Sequence, residues 1–127
     1  MNFVDDDHKN FYESKLKVLN ENGKSDVYYK SLVYTLAICS VTREHFLNIF
    51  DIVKGEINID SISAAYQTGT SAKITRLAFN LFNGCIYDSE ADLENDKVST
   101  YYSVSDIFNC SYAPYMYEAI CIRYPKY

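Results

Sequence analysis

No stretch of this 127-residue sequence reaches the ~18–20 apolar residues that a membrane-spanning helix requires. The longest apolar-rich region, Tyr28 to Cys39, is broken by Lys30, Ser31 and Thr35. The opening Met1-Asn2-Phe3-Val4 runs into Asp5, Asp6 and Asp7. A secretory signal wants positive charge and then an apolar run, so a soluble, cytoplasmic chain is the expectation. There is no C-x-x-C pair among Cys39, Cys85, Cys110 and Cys121. That spacing removes the usual zinc and thioredoxin-like patterns and leaves small buried hydrophobes in a reducing compartment. Basic runs are missing too. Formal charge is −5, from 12 Lys and Arg against 17 Asp and Glu, and it is spread over both halves. Affinity for a phosphate backbone rests on several Lys or Arg contacts, so direct nucleic-acid binding is not expected. An acidic surface steers instead toward a basic protein surface.

Catalytic signatures are equally scarce. There are two histidines, His8 and His45, and no H-E-x-x-H, G-x-S-x-G, phosphate-loop or dinucleotide pattern. Arg43-Glu44-His45 is the densest ionisable cluster, and a small hydrolytic enzyme built on it is the third-ranked reading. Cys39 and His45 lie six apart, which points them to different faces of one continuous helix. Cys85, just beyond a predicted helix end, is the cysteine expected to be most exposed. No cofactor or metal is implied. The acids Asp88, Glu90, Asp92, Glu94 and Asp96 alternate as in a calcium loop, but Leu93 and Ser99 stand where an EF-hand starting at Asp88 needs Gly and Glu.

What is present, at 48% hydrophobic and 23% charged, is a globular composition of one-domain length. The patterning is helical. Asp5–Asp7 cap a helix carrying His8, Tyr12, Leu16 and Leu19 on one stripe, stopped by Asn22-Gly23. Asp26 caps a second over Val27–Cys39, buried on most of its surface. Ser40-Val41-Thr42 breaks the run, with Thr42 as the cap of a third over Thr42–Phe50. Asp51 to Asp60 is the least helical stretch and suggests a minor extended segment near residues 56–59. Asp60 then caps a brief helix through Tyr66, and Gln67–Thr70 is a polar joint. Ser71–Asn83 is the clearest helix, with Ile74, Leu77, Ala78, Leu81 and Phe82 on one stripe and Gly84 as its stop. Ser89 can cap a short helix in the acidic run, Ser103 and Asp106 echo a capping box, and Ala113-Pro114 opens a last helix that Pro125 ends. Its expected apolar stripe is Tyr117, Ile120, Cys121 and Tyr124. The result is an all-α single domain over residues 1–127, with about five or six short helices.

Thirteen tyrosines, no tryptophan, ten Asn, eleven Ile and nine Lys against three Arg complete the picture. These are residues that AT-rich codons encode. Tyrosine pairs an apolar body with a polar tip and suits interfaces. Thirteen exceed what a small core hides, because each buried hydroxyl needs a partner. Two candidate sites follow: a partner-binding face of Asp88, Glu90, Asp92, Glu94, Asp96, Tyr101 and Tyr102, and a ligand-binding helix face of Arg76, Asn80 and Asn83.

Three stretches together carry a resemblance. They are Ser31-Leu32-Val33-Tyr34-Thr35-Leu36 leading to Thr42-Arg43-Glu44-His45-Phe46, Thr75 through Gly84, and Cys110-Ser111-Tyr112-Ala113-Pro114-Tyr115 with Glu118-Ala119 and Arg123-Tyr124-Pro125. They resemble a small family of proteins, classed only as a domain of unknown function, from low-GC Gram-positive bacteria and their phages or mobile elements. The resemblance implies no catalytic residue. It implies a context in which small acidic proteins bind and block host proteins. The first expectation is therefore a non-enzymatic protein-binding module that inhibits a host defence nuclease, in the manner of an anti-CRISPR protein, with a basic-surfaced host protein as partner. The second is a small-ligand or nucleotide-metabolite sponge.

Overall fold

Every residue from Ser31 to Cys39 is buried, and the fold is organised around that fact. The computed structural model describes residues 1–126, so Tyr127 of the tyrosine set lies outside the described residues. The second helix, α2 (Val27–Leu36), sits at the centre and packs against α1 (Asp6–Glu21), α5 (Gly69–Asn83) and α8 (Ala113–Arg123). A helix covered on most sides has no polar face to spare, which is why its sequence lacks amphipathic alternation. Leu32, Val33 and Leu36 are fully buried, each contributing roughly 1.5–3 kcal/mol by leaving water. Tyr34 is also fully buried, and its hydroxyl donates to the backbone carbonyl of Asn2. Burial pushes the Tyr34 phenol well above its usual range.

Local signals explain where the long helices begin and end. The Asp5 carboxylate accepts from the His8 amide at 2.8 Å, and Asn22 with left-handed Gly23 closes α1. Asp26 accepts from the Tyr28 and Tyr29 amides. At α5, Thr68 and Ser71 form a reciprocal capping box, and Gly84 at φ +76° supplies the left-handed C-terminal stop. The predicted polar joint is thus shorter than expected, because Gly69 and Thr70 already belong to α5. Gln67 fixes what remains by bonding the Ser61 carbonyl, Thr75 Oγ1 and Ser71 Oγ.

The break after α2 falls earlier than the sequence suggests, at Ala37–Cys39. Thr42 is no cap. It lies inside α3 (Ser40–Glu44), and its hydroxyl donates to the Leu36 carbonyl at 2.6 Å, while Arg43 donates to the Ala37 carbonyl at 2.8 Å. Side chains of the next helix thus satisfy the orphan carbonyls at the end of α2. A further turn, α4 (Phe46–Ile49), leads into β1 (Phe50–Asp51), which pairs antiparallel with β2 (Glu56–Ile57). The extended segment is therefore real but minimal. Ile59 already opens a 3₁₀ turn (Ile59–Ser63), with Asn58 and not Asp60 at the position before it and no side-chain cap. The Asp60 carboxylate instead accepts from the Glu90 amide and ties in α6 (Glu90–Glu94). A short α7 (Val104–Phe108) precedes α8.

The fold is all-α and one domain, with eight α-helices among the described residues where five or six were expected. Four are long; the additional ones are turns of four or five residues. The buried face of α8 is also rotated from the expected stripe. Met116 and Ala119 are buried, whereas Tyr117 and Tyr124 are exposed. α8 packs against α2, and Met116 and Ala119 are on its buried face.

Candidate functional site: an acidic, aromatic face

The segment from Cys85 to Tyr112 buries Cys85 and Ile107 in the core and is further held onto α5 by single polar contacts. Arg76 Nε lies 2.9 Å from Asp88 Oδ1, with side chains only 16% and 22% exposed. The second Asp88 oxygen accepts from Ser99 Oγ at 2.7 Å. Ser99 bonds back to the Ile86 carbonyl, and its hydroxyl accepts from the Tyr101 amide. The Tyr102 hydroxyl donates to the Tyr87 carbonyl at 3.1 Å, and Tyr87 donates to Asp96. Burial raises the Tyr102 phenol far above its ordinary value; the Asp96 hydrogen bond does the same for Tyr87 to a lesser degree. Neither phenol ionises near neutral pH, so both remain donors.

These clips sort the partner-face residues into two groups. Asp88 and Tyr102 face inward and build the loop. Glu90, Glu94 and Asp96 are exposed, and Asp92 is half-buried. Ser89 caps α6 by accepting from the Asp92 amide, and a turn at Asn95–Lys97 closes the helix, with Asp96 at φ +50°. Around that turn Leu93, Val98 and Tyr101 are left at 44%, 52% and 56% exposure. The sequence highlighted the acids and Tyr101, but not Leu93 and Val98. Their exposure leaves no periodic signal.

The predicted ligand triad does not converge. Asn80 Nδ2 donates to the Cys85 carbonyl at 3.1 Å, and Asn83 Oδ1 accepts from the Cys85 amide at 3.1 Å. Both asparagines anchor the chain as it leaves α5. This anchoring also corrects the expectation for Cys85, which is buried beside the Tyr102 hydroxyl and Tyr87 carbonyl. All four cysteines are free. Arg76 stays on the face, its guanidinium 5.0 Å from the centre of the Tyr101 ring. A depression of about 310 Å³ lies on the Lys73 and Arg76 side of Tyr101. Another of about 220 Å³ lies toward Asp92 and Val98.

The remaining ionisable groups are placed elsewhere. His45 stacks flat on Tyr66 at 3.7 Å, and Arg43 is engaged with the α2 terminus. His8 is fully buried. Its Nδ1 accepts from the Val4 amide, and its Nε2 faces the Tyr34 carbonyl, each at 3.0 Å, which assigns the proton to Nε2. Desolvation lowers its pKa below 6.5. Neutral His8 is thus part of the core, among Phe3, Tyr12 and Tyr34. No helix is long and apolar enough to cross a membrane among the described residues.

Two apolar surfaces escaped the sequence reading. One, between α7 and α8, brings exposed Val104 and Tyr117 together with Phe108 and Pro114. The other, of about 700 Å³, lies between the N-terminal segment, α1 and α8, where Phe3 and Leu16 meet Glu13, Lys30 and Glu118. Across residues 1–127 the chain matches a family described as a family of unknown function (DUF6075). No curated protein and no solved structure matches it.

Proposed function

The chain belongs to the DUF6075 family, and we propose that it is a non-enzymatic protein-binding module whose partner presents a basic surface. The observation that carries this reading is the exposure of Leu93, Val98 and Tyr101 in the same short segment as the exposed carboxylates Glu90, Glu94 and Asp96. Protein interfaces combine apolar and aromatic side chains with charged ones. The carboxylates supply steering and partner choice, and the apolar and aromatic side chains supply binding energy.

The finer form of the proposal is an inhibitor of a host defence nuclease carried by a phage or mobile element. A nuclease groove is basic because it binds phosphates, and an acidic face can occupy it in their place. A tagged chain exposed to a nuclease-treated lysate of a low-GC Gram-positive bacterium should capture one protein in stoichiometric amount. Capture should weaken as salt rises. The triple variant E90Q/D92N/E94Q should lose the partner while keeping its circular dichroism and melting temperature. Retention of the partner by a folded triple variant would show that this face is not the contact.

A further inference from the structure

We propose that the cleft between the N-terminal half of α5 and α7 is a binding site for a small phosphate-bearing ligand. Gly69, Lys73 and Arg76 follow one another at steps of four and three, which places them on one face of α5. All three line the depression of about 310 Å³, opposite Ser105, Asp106 and Asn109, with Tyr101 at its end.

Both cations keep donors to spare. Arg76 spends Nε on Asp88, and its two terminal nitrogens have no hydrogen-bond partner among the described residues. Lys73 Nζ makes one bond, to the Asn109 carbonyl at 2.8 Å, leaving two protons of its ammonium group. A planar guanidinium fork beside an ammonium group is the donor set that an oxyanion takes. The side chain of Arg76 is mostly withdrawn from water, which strengthens its field in the cleft.

Asp106 is the opposing charge. One of its oxygens accepts from Ser103 Oγ at 2.6 Å, which holds the carboxylate at the first turn of α7. With the Asp88 that pairs with Arg76 counted, two cations and two carboxylates balance, so what suits the lining to an anion is the unspent donors of Lys73 and Arg76. Size narrows the class. The cleft is at the low end of the roughly 300–1,000 Å³ of small-molecule sites, which suits a phosphate with a small or planar appendage and not a dinucleotide. Tyr101 offers such an appendage a ring to lie against. This site does not rest on the protein-binding reading, because Lys73 and Arg76 are untouched by the triple neutralisation above.

The test is thermal unfolding in a phosphate-free buffer, with orthophosphate, adenosine 5′-monophosphate, adenosine and matched chloride as probes. The two phosphate-bearing probes should raise the melting temperature by linkage, and adenosine and chloride should not. K73M should weaken phosphate binding about tenfold, the loss expected for one charge-assisted hydrogen bond. D106N should tighten it, which keeps the proposal testable if K73M folds poorly. Three results would overturn it: no rise with either phosphate probe, an equal rise with adenosine, or phosphate responses in K73M and D106N unchanged from the parent chain.

Discussion

The region around α2 and the segment from Cys85 to Tyr112 are stabilised by different physics. The first is a continuous apolar contact in which Leu32, Leu36, Ile74 and Phe79 are completely withdrawn from water. The second places only Cys85 and Ile107 in the core and otherwise has short capped helices and individual polar clips, among them Arg76–Asp88–Ser99. Close packing spreads the cost of any change over many neighbours. A clip confines the cost to one contact, and its exposed outer residues can change without reaching the core. A surface that must fit a partner is best carried by the second kind of structure.

The largest test of this contrast is Phe79→Ala, which should cost ~3–5 kcal/mol in denaturant unfolding. Gly84→Ala probes the junction between the two regions. Its Cβ would meet open space, so the cost reduces to the left-handed backbone at φ +76°, about 1–2 kcal/mol in the same measurement.

His8 adds a pH dependence to the core. Its folded pKa lies below 6.5, so below that pH the unfolded chain binds a proton that the folded chain refuses. Stability should therefore be complete above pH 6.5 and fall on acidification toward the folded value, by at most ~1.4 kcal/mol per pH unit for one proton. Urea titrations on both sides of that pH would show it, and His8→Gln should flatten this part of the profile.

Asp88→Ala, which opens the Arg76–Asp88–Ser99 clip, should cost about 1–3 kcal/mol, because a mostly buried Arg76 loses its partner and Ser99 its acceptor. Proteolysis of the 85–112 segment should increase in that variant well before global unfolding. A loss as large as that of Phe79→Ala would erase the distinction between the regions. The smallest effect belongs to E90Q/D92N/E94Q, whose stability should stay within about 0.5 kcal/mol of the parent while partner capture is lost.

Much of the fold was legible because helix termini are written locally. Asp5, Asp26, Gly84, Ser89, Ser103 and Pro114 sit at or beside the ends of their helices, and each acts through its own backbone or backbone groups a few residues away. The misplacements share a cause. Thr42 and Asp60 have the side chains of caps, but contacts from neighbouring elements use them differently. Asn80 and Asn83 resemble a ligand grip until the return of Cys85 engages both. Of the partner face, the acids and Tyr101 could be picked out by composition. Leu93 and Val98 could not, because hydrophobic residues carry no mark of being left outside.

The sequence by itself determined an all-α chain, its main helix boundaries and an acidic, tyrosine-rich C-terminal third, since propensity, capping and charge are properties of neighbours along the chain. Burial of α2 on most sides was legible too; only the tertiary structure decided which helices cover it, that α8 turns Tyr117 outward, and that Arg76, Asp88, Ser99 and Tyr101 meet. Those outcomes depend on residues distant in sequence competing for the same space, and close packing settles that competition for the whole chain at once.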